Sequence, residues 1–307
     1  MSSQRRITNA ALEQNLRGIL LPITTPFNSD VVDHAALRSN IDRWSTTGIT
    51  GFVVLGSTGE RVHLDEREYL EVIETTRAVV SESMSLIAGA GQQSTVGTIR
   101  EIKRAAEAGA DAVLVITPHF YRSAMSQDVL ISYYRSVADA AAVPLLLYSM
   151  PALTGIKIEP ETVARLREHP NIVGVKDSSN NVAGFSETVR LCPSEFAVMT
   201  GNGTVLLDTL RAGATGAILA VGCVVPEMCV EIFRAVKAGD LERASMLQSK
   251  LTPLAAAVTT RFGIGGLKAA LDLAGYRGGS VRAPLQPPDE SARAEIAMLL
   301  EEAKASL

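Results

Sequence analysis

Cysteine is scarce in this 307-residue chain: Cys192, Cys223 and Cys229 are the three present, and none belongs to a Cys-x-x-Cys pair. An odd number without paired spacing argues against a disulfide framework and a structural zinc site, and reads more simply as small buried hydrophobes. Aromatics are also few, at 5%, so there is little from which to build a base-stacking surface. Neither sign of charge dominates: 29 Lys and Arg stand against 33 Asp and Glu, for a net charge of -4. That balance provides no field to hold a polyanion, which argues against nucleic acid as a partner. No apolar run reaches the roughly 18 residues of a membrane span. The opening MSSQRRITNAALEQNLRG lacks the apolar core of a secretory signal. His34, His63, His119 and His169 show no metal-ligand spacing. These absences point to a cytoplasmic protein without a membrane, nucleic-acid or metal partner.

What the chain does have is an ordinary globular share of apolar residues, 47%, and 24 glycines, many at the edges of apolar runs. Eight runs of strand length recur at intervals of about 20 to 35 residues. They begin near Gly18 (GILLPIT), Gly51 (GFVVLG), Leu86 (LIAGA), Ala112 (AVLVIT), Pro144 (PLLLYS), Ile172 (IVGVKD), Phe196 (FAVMTG) and Gly216 (GAILAVG). Their apolarity is continuous rather than alternating, which predicts strands buried on both faces, as in a parallel sheet. The intervals read as helices, most clearly over residues 65–80, 95–108 and 126–140, and more briefly over 204–212. TGITGFVV, AGADAVLV and AGATGAIL repeat one punctuation, a glycine closing a helix just before the next strand. Strand, helix and glycine in eightfold succession predict an α/β fold, a (β/α)8 TIM barrel. From Pro226 onward the pattern is helical, with members at 240–258, 264–274 and 289–307 and a loop across 278–288. The chain therefore divides into a barrel carrying the site, residues 1–225, and a C-terminal helical extension, residues 226–307.

Function in such a barrel gathers at the C-terminal ends of the strands. At the end of the sixth run, Lys176 arrives still in strand register, followed by Asp177-Ser178-Ser179. Burial there disfavours an ammonium ion, and the leading use for a neutral amine is Schiff-base formation with a carbonyl. The alternative is a lysine reaching out to solvent at the strand end. The fifth run ends in Tyr148, which is either a proton carrier beside that lysine or a rim aromatic. After the second run, Gly56-Ser57-Thr58-Gly59-Glu60 offers two hydroxyls between glycines. Such a turn suits a carboxylate, and it lacks the lysine and spacing of a P-loop. Gly89-Ala90-Gly91 lacks the third glycine of a dinucleotide site, and Ser57 is not in a G-x-S-x-G elbow.

Taken together, GSTGE, LYSMPALTG and IVGVKDSS resemble the N-acetylneuraminate lyase / dihydrodipicolinate synthase family of class I aldolases. The similarity runs from GILLPITTPF at residue 18 to RAPL at residue 285, most of the chain. The resemblance implies a barrel with a C-terminal helical domain, assembled as a homotetramer, acting on a small 2-oxo acid without a cofactor. It makes Lys176 the Schiff-base lysine, Tyr148 the proton-transfer residue and Ser57 a hydroxyl of the proton relay. Thr58 and Gly56 become binders of the substrate carboxylate, with Ser178 and Asn202 as further substrate contacts.

Departures from the pattern narrow the substrate. Dihydrodipicolinate synthases carry an arginine where this chain has Leu153. Sialic acid lyases present acidic groups where this chain has Gly201-Asn202-Gly203-Thr204. HPNIVGVKDSS, RFGIGGLK and GYRGGSVRAPLQ look most like 4-hydroxy-2-oxoglutarate aldolases, which release pyruvate and glyoxylate. Much of the family lends a tyrosine to the neighbouring subunit where Phe120 stands here, and strand alternation would turn the adjacent Tyr121 the other way unless the loop is irregular. The competing readings are a 2-oxo-3-deoxy sugar acid aldolase or dehydratase, an N-acetylneuraminate lyase, a dihydrodipicolinate synthase, and a non-catalytic 2-oxo acid binding protein.

Overall fold

The computed structural model describes residues 7–306. Among them, eight parallel strands close into a barrel. They are β1 Ile19–Pro22, β2 Gly51–Val54, β3 Ser85–Ala90 and β4 Ala112–Ile116. β5 Leu145–Ser149, β6 Ile172–Asp177, β7 Ala197–Thr200 and β8 Gly216–Ile218 complete it. Each strand pairs with the next, and β8 returns to β1 through Ile19↔Ala217 and Leu20↔Ile218. All eight expected runs became strands, because alternate residues of each are buried on opposite faces. Leu20, Val53, Ile87, Leu114, Leu146, Met199 and Ile218 fill the barrel. Leu21, Phe52, Val54, Leu86, Val115 and Leu147 belong instead to the layer packed under the helices. Burying each such side chain contributes about 1.5–3 kcal/mol, and a strand earns that on both faces only inside a helical coat.

Several of the helices start at side-chain caps. Asp65 and Glu68 form a reciprocal capping box at the start of Glu66–Arg77, and Ser94 and Ser126 cap Thr95–Glu107 and Gln127–Ala140. The three punctuating glycines, Gly48, Gly109 and Gly213, have φ of 85°, 108° and 103°, a conformation other residues resist. Helices Asn9–Asn15 and His34–Trp44 and the small hairpin of Phe27–Asn28 with Val31–Val32 stood out less in the sequence. Leu12 and Leu16 join the interior cluster, so the first helix closes one end of the barrel.

Helix Pro226–Ala238 packs on β1 and on helix Leu206–Arg211. Leu241–Ala256, Gly263–Leu273 and Glu290–Lys304 follow. The expected helix over 240–258 ends at Ala256 and passes into a five-residue π-turn, Ala257–Arg261. Pro253, lacking an N–H, lies in the last turn before that change. The last helix ends at Lys304, and residue 307 of its expected span lies outside the described residues. Among the described residues no helix is long and apolar enough to cross a membrane. Cys223 and Cys229 are fully buried and Cys192 partly so, and burial pushes the Cys192 thiol up to about 11 and the Cys229 thiol up to about 12.

The loop over 278–288 is stitched back onto the barrel. Ser280 donates its N–H to the Phe27 carbonyl at 3.0 Å. Arg282 grips Glu68 with two bonds of 2.7 and 2.8 Å and lies 4.4 Å over the Phe27 ring. These bonds from Arg282 hold the Glu68 carboxyl below its ordinary value of 4.5. A carboxyl depressed in the folded state adds stability above its unfolded pKa and loses it as pH falls through the folded one. Glu68→Gln keeps an amide oxygen for the capping box and removes only the charge. Its Tm deficit is therefore expected to be largest near neutral pH and to shrink as pH falls below 4.5. Paired thermal melts across pH check this, and a deficit independent of pH would contradict it.

Candidate active site

Lys176 is the next-to-last residue of β6 and 5% exposed. Its register neighbours are Tyr148 on β5 and Met199 on β7, and Tyr148 in turn faces Ile116 on β4. Parallel register partners project to one side of a sheet, so these four side chains form one layer inside the barrel mouth. The Lys176 ammonium nitrogen sits 4.6 Å from the centre of the Tyr148 ring. Lys176 makes no ion pair among the described residues. Gly201 makes room for it. A Cβ there would lie 2.6 Å from Lys176 Cε and 2.0 Å from Ser178 Oγ. Gly201 was not distinguished in the sequence, since a glycine just after a strand usually marks only a turn.

Across the barrel mouth, the Tyr148 hydroxyl stands 3.4 Å from Ser57 Oγ. That is a long hydrogen bond of the kind that tightens when a ligand arrives. Ser57 opens a single 3₁₀ turn, Ser57–Gly59, at the end of β2. Gly59 donates to the Gly56 carbonyl at 3.1 Å and Glu60 to the Ser57 carbonyl at 3.2 Å. The first amides of such a turn, those of Ser57 and Thr58, have no partner inside it. Thr58 itself is buried. Leu55 and Glu60, at either side, are left-handed, with φ of 58° and 54°. Non-glycine residues hold that conformation only under constraint from their surroundings. At Gly56 an added Cβ would meet only Val53 Cγ1, at 4.0 Å, so sterics do not require glycine there.

The remaining candidates divide. Ser178 donates its amide to the Ser149 carbonyl at 3.0 Å and stands beside Gly201, close to Lys176. Asn202 caps the turn Gly203–Val205: its Oδ1 accepts from Thr204 N at 3.0 Å and Thr204 Oγ1 at 2.8 Å. Its Nδ2 donates to the Ser179 carbonyl at 3.4 Å, so the side chain ties its own turn to the loop after β6. Phe120 and Tyr121 lie outside the barrel mouth, 74% and 71% exposed, with their rings edge to face at 5.1 Å. Strand alternation does not govern them, because the chain after β4 is an irregular loop pinned by Gln93, whose side-chain oxygen accepts from the His119 and Phe120 amides at 2.9 Å.

Arg122, in the same loop, had no signal in the sequence. It lies against Gly155, where a Cβ would be 2.9 Å from Arg122 Cδ and 3.0 Å from Nη1. Gly155 ends the short helix Pro151–Thr154, which follows Tyr148's strand, with φ of 69°. Leu153 on that helix is 61% exposed. Arg61, Lys157 and Arg282 are each paired with a glutamate, whereas Arg122 makes no ion pair among the described residues. No group of three or more His, Cys, Asp or Glu is placed to hold a metal ion among the described residues. A buried primary amine, a phenol beside a hydroxyl, and a turn whose first amides have no partner inside it form a set suited to binding and activating a small carbonyl acid.

Comparison with known proteins bears on this geometry. The sequence profile of the dihydrodipicolinate synthetase family matches residues 15–303. The 4-hydroxy-tetrahydrodipicolinate synthase of Syntrophus aciditrophicus is 35% identical over 93% of this chain and 97% of its own. That of Thermodesulfovibrio yellowstonii is 36% identical over 94% and 98%. A prophage protein of the dihydrodipicolinic acid synthase family from E. coli K12, solved in complex with pyruvate, superposes with a TM-score of 0.87. It is 31% identical, over 94% of this chain and 98% of that one.

Proposed function

This chain belongs to the dihydrodipicolinate synthetase family of Schiff-base lyases and aldolases, and we propose that within it the chain cleaves 4-hydroxy-2-oxoglutarate to pyruvate and glyoxylate. The observation that carries the reading is the register pairing of Lys176 with Tyr148, the amine 4.6 Å over the ring. The substrate's 2-oxo acid carboxylate rests on the turn of Ser57 and Thr58. The Lys176 amine attacks C2, water leaves, and an iminium forms. Tyr148, in contact with Ser57, removes the C4 hydroxyl proton, the C3–C4 bond breaks and glyoxylate departs. The electron pair of that bond moves into the iminium, leaving an enamine. Protonation at C3 and hydrolysis then release pyruvate and restore the amine. The iminium is itself the electron sink, so the chemistry asks for no further cofactor.

The match to 4-hydroxy-2-oxoglutarate aldolases in HPNIVGVKDSS and RFGIGGLK supports the C5 dicarboxylate. The names of the synthase relatives favour a second reading, condensation of the pyruvate enamine with a semialdehyde. Against it stands exposed Leu153, where the resemblance calls for an arginine. Arg122 beside Gly155 is the cation we assign to the distal carboxylate. Arg122→Met is expected to raise KM for 4-hydroxy-2-oxoglutarate about tenfold, the effect of losing about 1.4 kcal/mol of charge-assisted hydrogen bonding, while leaving imine formation with pyruvate unchanged. Steady-state kinetics on the variant check this.

A panel of 4-hydroxy-2-oxoglutarate, a 2-oxo-3-deoxy sugar acid, N-acetylneuraminate, and pyruvate with a semialdehyde tests the whole reading. Pyruvate and glyoxylate from the first substrate, at the highest kcat/KM of the set, support it. Turnover of another member with none of the first overturns it. The assembly we expect is a homotetramer, which light scattering in solution tests.

A further inference from the structure

We propose that Lys268, on the C-terminal helix Gly263–Leu273, is a positioning residue that fixes the carboxylate-binding turn from behind, through Glu60 and Thr25. This rests on the Schiff-base reading above and adds a part of the chain to it. Lys268 is 2% exposed, and its ammonium lies 2.5 Å from Glu60 Oε1. It also donates to the Thr25 carbonyl at 2.7 Å and the Ser280 carbonyl at 2.6 Å. Glu60, 2% exposed, immediately follows Ser57-Thr58-Gly59, and its own amide closes that turn onto the Ser57 carbonyl. Its other carboxylate oxygen accepts from the Arg282 amide at 3.0 Å and stands 3.3 Å from His63 Nδ1. Thr25 completes the grip: its hydroxyl donates to the Gly59 carbonyl at 2.8 Å.

One ammonium thus holds both anchors of the turn, the side chain after Gly59 and the segment after β1 whose Thr25 hydroxyl fastens Gly59. This explains how Glu60 keeps a left-handed backbone without being glycine or asparagine. A core that needed only cohesion would do as well with apolar groups, since hydrophobic replacements of buried ion pairs are often neutral or stabilising. A directional bond does what they cannot, and fixes where the turn's amides point. Burial drives the Lys268 ammonium down from its ordinary value, and the Glu60 carboxylate beside it opposes that. The catalytic face is therefore incomplete without the helical extension.

The test compares the full chain with Lys268→Met and with the double variant Lys268→Met/Glu60→Leu, which leaves no unpaired buried charge and so guards against misfolding. Each is trapped by borohydride with pyruvate and, separately, with methyl pyruvate, which has the same ketone and no carboxylate. Thermal melts confirm that the assays run on folded protein. In both variants the pyruvate concentration for half-maximal trapping is expected to rise at least about tenfold, with that for methyl pyruvate unchanged. Folded variants in which neither value moves, or in which both rise together, overturn the inference. An unchanged protein that pyruvate does not trap overturns the Schiff-base reading itself.

Discussion

Lys176→Met is expected to lower kcat by roughly 10⁴- to 10⁶-fold, the scale on which loss of a covalent nucleophile is felt. At about 1.36 kcal/mol per decade this is about 5–8 kcal/mol of barrier. The size of the effect follows from the absence of a substitute. Lys157 is held by Glu159 and Lys268 by Glu60, and neither lies in the layer of Tyr148 and Met199. Lys176→Arg is expected to fail as completely, because a guanidinium stays protonated and cannot attack a carbonyl. Methionine approximates the lysine's volume, so the fold should survive and circular dichroism should stay unchanged. Activity within tenfold of the unchanged enzyme in either variant would contradict the assignment.

Tyr148→Phe carries the second largest expected effect, a fall in kcat of about 10²- to 10⁴-fold, the usual worth of one general acid–base group. The substitution keeps the ring beneath the lysine and removes only the hydroxyl that approaches Ser57. Imine formation and carbon–carbon cleavage should therefore separate. Pyruvate should still be trapped on Lys176, more slowly, while cleavage of the hydroxy acid nearly stops. Single-turnover kinetics resolve the two steps. If trapping and cleavage fall by the same factor, Tyr148 serves imine formation alone.

What the sequence made legible was whatever leaves a local trace. The eight strands showed because a barrel strand is apolar on both faces, and the helix exits showed because Gly48, Gly109 and Gly213 sit where other residues are strained. Lys176 stood out as a charge at the end of an apolar strand. Partnerships between distant segments left no such trace. Nothing around Lys268 announces that it meets Glu60, and nothing around Arg122 announces that it crosses Gly155. Asn202 suits a ligand contact and a loop cap equally well as a residue type. Its oxygen accepts from Thr204 and its nitrogen donates to the Ser179 carbonyl, partnerships that the residue type does not announce. The side to which Phe120 and Tyr121 turn was not legible, because alternation ends where β4 ends, at Ile116.

The most direct measurement is borohydride trapping with pyruvate, followed by peptide mapping. Reduction of the iminium fixes one pyruvate-derived group to the nitrogen that attacked. The account predicts a single adduct on the peptide containing Lys176, lost in Lys176→Met. No adduct, or an adduct on another lysine with Lys176 unmodified, would contradict it.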